Sequence, residues 1–153
     1  TLFRSKATEL GVAAIVPVNA ERTEVKLDAA RASKRLAHWN SVVQSACGQS
    51  GRAVLPSVTA PEGLAAAVAT LPAQTLRLTL DPQGTHRLST LQQAPENGVV
   101  IAIGPEGGWS PRDRALLDSV GFQGLQLGPR ILRTETAGLA AIAALQARLG
   151  DLG

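Results

Sequence analysis

Short apolar runs bounded by glycine, proline or polar residues alternate along the chain with longer segments of helical periodicity. Runs of this kind predict strands. The run at 98–103 is strongly β-branched, which favours a strand, whereas Pro56 inside another run favours the edge of a sheet. We predict strands at residues 12–18, 53–58, 75–80, 98–103 and 122–127, with the first of them buried.

The segment that follows Asp28 predicts a helix with one buried face. Its apolar residues recur at three- and four-residue steps, which places them on one side of the helix, and Gly48 and Gly51 are expected to end it. An alanine-rich segment at 61–69 predicts a shorter helix with Pro61 in its first turn. The buried face of the longer helix is predicted to contain Leu36, Trp39, Val43 and Cys47.

Two further helices are predicted in the second half of the chain. Ser110 can cap a helix whose first residue is Pro111, Asp113 would complete a capping box, and Gly121 ends this helix in a left-handed conformation. Residues 83–97, which lie before it, have the composition of a loop. The last helix, at 135–149, is predicted to bury Leu139, Ile142, Leu145 and Leu149.

Strands separated by helices imply crossover connections, and crossovers imply parallel pairing. The predicted fold is therefore α/β, with a mainly parallel sheet and flanking helices, and 153 residues suit one domain. No apolar run approaches the roughly 20 residues that span a bilayer, and the first residues lack the pattern of a secretory signal. We expect a cytoplasmic protein with no membrane partner.

Composition adds limits on the possible chemistry. The net charge is +3, which is compatible with an anionic partner. Cys47 is the only cysteine, so an internal disulfide and a multi-cysteine metal site are excluded, and we expect it to be buried. His38 and His86 are far apart without ligand spacing, and we place both at the surface and predict no metal. Aromatic residues are only 3% of the chain, which argues against a broad base-stacking platform.

In open parallel sheets, ligands bind beyond the carboxyl ends of the strands. Three segments are predicted to emerge there, at 80–82, 104–108 and 128–136. The second, with the sequence GPEGG, matches neither the dinucleotide fingerprint nor a phosphate-binding P-loop. Its glycines would let a ligand approach the backbone, and Glu106 adds an acceptor or a negative charge. A tight turn with a solvated glutamate explains this segment equally well.

Two arginines precede the predicted last helix. Capping by Thr134 and favourable interaction of Glu135 with the helix dipole would explain those two residues. Arg130 and Arg133 face the positive end of the dipole unfavourably, so we expect them to have a carboxylate or phosphate partner. The first turns of the helix after residue 28 carry a similar group, which either forms a solvated face or contacts phosphate: Arg31, Lys34 and Arg35.

Several segments, in this order and spacing, resemble the catalytic domain of the ribosomal RNA uracil-N3 methyltransferase family. The resemblance covers about residues 6–153, and its two most C-terminal segments together are quite specific. The segments are residues 6–12, 21–22, 45–52, 103–108 and 127–137.

The resemblance implies an α/β fold of the SPOUT type with a deep C-terminal trefoil knot. It also implies S-adenosylmethionine as the cofactor, a homodimer, and N3 of a uridine in small-subunit (16S) ribosomal RNA as the methyl acceptor. The family carries an N-terminal β-barrel RNA-binding domain, which we expect to be absent here. The chain opens without methionine, and we predict that residues 1–5 are not native and that residues 6–153 form the methyltransferase domain.

Site residues follow from the same resemblance. Arg133 is expected to steady the uracil oxygens as negative charge develops at N3, and Glu106 to accept the proton or orient the cofactor. Arg22, Arg52 and Arg130 are expected to contact RNA. The predicted cofactor-binding residues are Leu80, Gly104, Pro105, Glu106, Gly107, Leu127, Gly128, Ile131, Leu132, Thr134, Thr136 and Ala137.

Two alternatives to this function stay open from the sequence. One is a related knotted RNA methyltransferase with a different target, and the other is a non-catalytic RNA-binding or ribosome-assembly protein. A nucleotide-binding oxidoreductase is disfavoured because the glycine fingerprint of such enzymes is missing.

Overall fold

The structure is a computed structural model that describes residues 2–23 and 28–153. Its helices are α1 (Leu2–Glu9), α2 (Ala29–Ser50), α3 (Leu64–Ala69), α4 (Pro111–Ser119) and α5 (Thr134–Leu149). Its strands are β1 (Ala14–Ile15), β2 (Val18–Asn19), β3 (Ser57–Val58), β4 (Glu62–Gly63), β5 (Leu76–Leu80), β6 (His86–Arg87), β7 (Val99–Ala102) and β8 (Gln123–Gln126), with a 3₁₀ turn at Leu88–Thr90.

The main sheet has four parallel strands in the order β6-β8-β5-β7. The short strands form two more parallel pairs, β1 with β3 and β2 with β4. Leu78 of β5 and Leu125 of β8 are fully buried at the centre of the sheet, and Leu145 of α5 packs over them. The predicted α/β fold with a mainly parallel sheet and flanking helices is confirmed, while the knot stays a prediction.

Helix α2 follows the predicted pattern closely. The Asp28 carboxylate accepts the backbone N–H of Arg31 at 2.8 Å and so caps the helix. Trp39, Val43 and Cys47 are buried as predicted, and Leu36 is half-buried. Gly51, with φ +76°, ends the helix, but the predicted stop at Gly48 is wrong because the helix continues to Ser50.

Helix α1 was not predicted, and it crosses the expected boundary after residue 5. The guanidinium of Arg4 lies 3.9 Å from the ring centroid of Trp39 on α2, a distance typical of cation–π contact. The Thr8 side chain on the same helix is fully buried and donates to the Arg4 carbonyl at 2.8 Å. Residues 2–5 are therefore packed as part of this helix.

The first apolar run forms two short strands instead of one buried strand. Residues 12–18 are split into β1 and β2 with Pro17 between them, and they are half-buried or exposed. Proline cannot donate a ladder hydrogen bond, so one continuous strand is disfavoured here. The Glu62 N–H instead donates to the Pro17 carbonyl at 3.2 Å. Because Glu62 joins β4, the predicted helix at 61–69 begins only at Leu64.

The other predicted strands are shorter than expected. Residues 53–58 contribute only β3, and the predicted loop at 83–97 contains β6 and the 3₁₀ turn. His86 lies in β6 and is half-buried, not at the surface as predicted, whereas His38 is exposed. None of the described helices is long and apolar enough to cross a membrane.

The start of α4 joins two distant parts of the chain. The Ser110 hydroxyl accepts the N–H of Asp113 at 3.1 Å, which confirms the predicted cap, and Gly121 follows the helix with φ +86°. The carboxylate of Asp113 accepts the N–H of Glu21 at 2.8 Å, and the Ser110 hydroxyl donates to the Glu21 carboxylate at 3.0 Å. The carboxylate of Asp113 therefore holds the turn at Glu21 in place. This role is not part of the predicted capping box.

Helix α5 approaches its neighbours most closely at a glycine. Ile142 and Leu145 are buried as predicted, but Leu139 and Leu149 are only half-buried. A Cβ atom at Gly138 would lie 2.7 Å from Cε2 of Phe3 and 2.8 Å from Cδ1 of Ile103. A side chain at this position therefore cannot fit unless the side chains of Phe3 and Ile103 move.

We expect Gly138→Val to lower the free energy of unfolding by about 1–3 kcal/mol, the usual cost of overpacking a filled interior. Urea denaturation measures this loss. Ala140→Val is the matched control, because residue 140 is exposed on the same helix and should lose only about 0.5 kcal/mol through helix propensity. Equal losses in the two variants would contradict the close contact.

Candidate functional site

A small groove lies beyond the carboxyl ends of β5 and β8, where a parallel sheet is expected to bind ligands. Its enclosed volume is about 60 Å³. The two strands are paired in register, with Leu80 opposite Leu125, so the segments that leave them emerge side by side. The groove is lined by Leu80, Asp81, Pro82, Leu125, Leu127, Gly128, Arg130, Leu132 and Ala137.

The walls of the groove are mostly apolar. Leu80 and Leu127 are half-buried at the strand ends, Leu132 is half-buried in the segment before α5, and Leu125 is fully buried. Gly128 has φ +81°, a left-handed conformation that glycine adopts without steric cost and that turns the chain away from β8. This lining suits a flat apolar group held near the backbone.

Asp81 provides a carboxylate at the edge of the groove, and it was missing from the predicted site residues. One of its oxygens, Oδ1, accepts the N–H of Gln83 at 2.9 Å, and Oδ2 lies 3.3 Å from Nη1 of Arg114. The Gln126 side chain donates to the carbonyl of Pro82 at 3.0 Å and fixes the same turn. The signal available in the sequence was an acidic residue directly after a predicted strand.

The loop at 104–108 follows β7, the strand beside β5, but it does not line the groove. Nη1 of Arg22 donates to the Gly107 carbonyl at 2.9 Å, and the Gly108 N–H donates to the Pro105 carbonyl at 2.8 Å. A Cβ atom at Gly104 would lie 3.2 Å from the Trp109 ring. The loop is thus held in place, with Glu106 exposed at its tip.

Two arginines expected to contact RNA have partners within the protein. The first is Arg22, which donates to the Gly107 carbonyl. The second is Arg52, whose Nη1 donates to the carbonyls of Thr8 and Val12 at 2.8 and 3.0 Å. Arg52 is half-buried and ties the end of α1 to the segment before β1. Their contact with RNA stays a prediction.

The start of α5 differs from the prediction at its cap. The helix begins at Thr134, so Arg133 occupies the N-cap position, and its side chain makes no capping hydrogen bond. Thr134 is therefore the first residue of the helix, and capping, the alternative explanation for this residue, does not apply. Arginine has only donors and cannot accept from the first N–H groups of a helix. Arg133 and Thr136 are exposed, and Thr134 is half-buried.

The structure separates two neighbouring residues that were predicted to act together. Leu132 lines the groove, whereas Ile131 is 85% exposed and does not line it. Five of the predicted cofactor residues meet in the groove, together with Arg130: Leu80, Leu127, Gly128, Leu132 and Ala137. The others lie outside its lining: Gly104, Pro105, Glu106, Gly107, Ile131, Thr134 and Thr136.

The enclosed part of the groove is smaller than the roughly 300–1,000 Å³ of most small-molecule sites. A ligand would therefore extend beyond it, over the surface that adjoins the groove near the start of α5. That surface offers two positively charged side chains, Arg130 and Arg133, beside an apolar slot. Among the described residues, no three His, Cys, Asp or Glu side chains are grouped so that they could hold a metal ion.

The chain is similar in sequence and in structure to several known proteins. The ribosomal RNA small subunit methyltransferase E of Buchnera aphidicola (subsp. Schizaphis graminum) is 36% identical over 149 residues, which are 96% of this chain and 59% of that protein. A crystal structure of the same-named protein from Neisseria gonorrhoeae, bound to S-adenosyl methionine, is 44% identical with a TM-score of 0.88. It matches over 95% of this chain and 60% of its own.

A further similar structure comes from Legionella pneumophila and contains the bound cofactor SAM. It is 39% identical, with a TM-score of 0.89, and the match covers 99% of this chain and 62% of that one. This chain thus spans about three-fifths of the length of these relatives. The family model described as "RNA methyltransferase domain" matches residues 2–146. That match covers nearly the whole chain, and the chain therefore belongs to the RNA methyltransferase family.

Proposed function

We propose that this chain transfers a methyl group from S-adenosylmethionine to N3 of a specific uridine in 16S ribosomal RNA. It does so as a homodimer in the cytoplasm, with the knotted C-terminal fold of the family. The observation that carries this proposal is the apolar groove beyond β5 and β8. The groove lies in a chain that superposes with a TM-score of 0.88 on a Neisseria protein bound to S-adenosyl methionine.

The residues of the groove fit this cofactor chemically. Leu80, Leu127 and Leu132 would enclose the adenine, and the backbone at Gly128 and the small side chain of Ala137 leave room for close approach. When bound, the cofactor supplies a methyl group that is already activated on a positively charged sulfonium. The Asp81 carboxylate at the edge of the groove has the sign that favours such a cation.

The polar end of the cofactor would reach beyond the enclosed groove. Residues 104–107, at the end of the neighbouring strand β7, and the hydroxyls of Thr134 and Thr136 at the start of α5 are the proposed contacts there. Helix N-terminal N–H groups favour negative charge. The side chain of the N-cap residue, Arg133, makes no hydrogen bond to those groups, which leaves them open to a ligand.

The acceptor base requires a different set of residues. N3 of uracil lies on the pairing edge and carries a proton, so the base must be unpaired, and the proton must leave as the bond to methyl forms. Arg133, exposed at the edge of the groove, donates to the uracil oxygens as negative charge develops. Glu106 accepts the proton or orients the cofactor, while Arg130, Arg22 and Arg52 contact the RNA.

The first test is calorimetric titration of the protein with S-adenosylmethionine, followed by mass analysis of nucleosides from 16S RNA incubated with both. We expect one cofactor per chain and 3-methyluridine as the product. A methyl group on ribose or on another base would instead indicate a related methyltransferase with a different target. A folded protein that binds RNA but not the cofactor would be a non-catalytic assembly protein.

Leu132 and Ile131 are adjacent in sequence, but only Leu132 lines the groove, so substitutions at the two positions test whether the groove binds the cofactor. We expect Leu132→Asp to weaken S-adenosylmethionine binding at least about tenfold, because a carboxylate would replace an apolar wall of the site. Ile131→Asp introduces the same charge one position away, on a side chain that is already 85% exposed, and should change affinity less than about threefold. Calorimetric titration of both variants measures the difference. Similar losses in both would contradict the proposed placement of the adenine.

Arg133→Ala is expected to reduce kcat about 100-fold, the usual effect of removing a donor to developing negative charge. Its affinity for S-adenosylmethionine should remain nearly unchanged, because Arg133 does not line the groove. Single-turnover methylation and cofactor titration measure the two effects separately. The control is Arg112→Ala, which removes an exposed arginine on α4. Equal loss of binding and turnover in Arg133→Ala would count against its role toward uracil.

A further inference from the structure

One face of α2 carries positive charge that its own helix does not balance. Arg31, Lys34 and Arg35 are exposed in its first two turns, and none of its 22 residues is acidic. Arg31 lies 3.6 Å from the capping carboxylate of Asp28, but both side chains are more than half exposed, so this pair is weak. Within residues 2–23 and 28–153, no salt bridge is formed by Lys34 or Arg35.

Helix α1 adds another cation to the same place. Arg4 stacks on Trp39, one turn beyond Arg35 on α2, and its Nε atom is buried without a hydrogen-bond partner in the described part of the chain. Burial lowers the pKa of the Arg4 guanidinium, and the positive charge of Arg35 lowers it further. Like charges placed this close repel one another, and a bound anion would relieve that repulsion.

This basic surface, defined as Arg4, Arg31, Lys34 and Arg35, includes a residue of α1, the helix that packs against α5. Phe3, the residue before Arg4, lies against Gly138 on α5. The residue before Gly138 is Ala137, which lines the groove. Helix α5 is therefore in contact with α1 and also contributes to the candidate site.

The chemistry of α2 favours nucleic acid over a membrane as the partner. A helix that lies on a lipid surface presents apolar side chains to it. The apolar face of α2, with Trp39, Val43 and Cys47, is instead buried, and none of the exposed large apolar side chains in the described residues belongs to this helix. The exposed side of α2 instead carries three cations in its first two turns, Arg31, Lys34 and Arg35, which suit a chain of phosphates.

We propose that the basic surface binds backbone phosphates of the RNA substrate and holds the strand while the target base is positioned beside the groove that holds the cofactor. This inference rests on the proposed function, since it names the surface by which that substrate is held. The contacts are made to phosphates, so they contribute affinity and orientation without reading the base sequence.

The test compares two double variants that both lower the net charge by two. Lys34→Gln/Arg35→Gln removes two cations of the basic surface, whereas Arg87→Gln/Arg112→Gln removes two exposed cations on β6 and α4. Binding of a fluorescent uridine-containing single-stranded RNA is measured by anisotropy from about 50 to about 200 mM salt. The general effect of net charge is the same in both variants, so a difference between them reports local contacts.

We expect the Lys34→Gln/Arg35→Gln protein to bind RNA about tenfold more weakly. Its slope of log affinity against log salt should fall by about 1.4, since each phosphate contact on a single strand contributes roughly 0.7. The control pair should retain nearly the wild-type slope. Equal behaviour of the two pairs would overturn the inference, and so would wild-type protein that binds anionic lipid vesicles but not this RNA.

Cofactor titration of the same proteins separates this inference from the proposed function. Unchanged S-adenosylmethionine binding in Lys34→Gln/Arg35→Gln, together with weakened RNA binding, supports the basic surface. If that variant binds RNA as tightly as the wild-type protein, the proposed role of the basic surface is overturned, while the methyltransferase proposal is unaffected. Wild-type protein that binds neither cofactor nor RNA overturns both.

Discussion

The burial of Leu78 and Leu125 in one apolar cluster at the centre of the sheet is the interaction on which the arrangement of the groove depends. Both are fully buried beneath Leu145 of α5. Parallel pairing in this register brings the carboxyl ends of β5 and β8 level with each other. The segments that begin at residues 80 and 127 therefore leave the sheet together, and a slip of one residue would turn their side chains to the opposite face.

Side chains from the N-terminal part of the chain fix the loops of the C-terminal part. Arg22 donates to the carbonyl of Gly107, and the Glu21 turn is bonded to Ser110 and Asp113 at the start of α4. These hydrogen bonds bridge 85 to 92 positions of sequence. A loop built from glycines would otherwise have many conformations, so its shape depends on partners that are distant in sequence.

The parallel sheet, α2 and the cap of α4 could be predicted because their signals are local. Apolar periodicity, the Asp28 and Ser110 caps, and the glycines at 51 and 121 act within a few residues. The split of residues 12–18 was less apparent, since it depends on the pairing of Pro17 with Glu62 as well as on the proline itself.

The candidate site was predicted in its location but only partly in its members. Parallel pairing predicts that residues 80–82 and 128–136 meet at one edge of the sheet, yet the sequence cannot show that Leu132 turns inward while Ile131 turns outward. The position of the Asp81 carboxylate at the groove and the hydrogen bonds of Arg52 within the protein also depend on side-chain directions in the folded chain. Arginines are readily assigned to ligands from sequence, although backbone carbonyls satisfy them equally well.

The contact between the first and last helices has a consequence for how the chain folds. Phe3 packs at Gly138, and the Gln146 side chain donates to the Leu10 carbonyl across 136 positions. During synthesis, α1 emerges long before α5, so its apolar side remains incompletely covered until the last helix has left the ribosome. Contacts of such long sequence separation form late and slow the folding of a domain. A chain interrupted before α5 would expose Phe3 and be a target for chaperones and proteases.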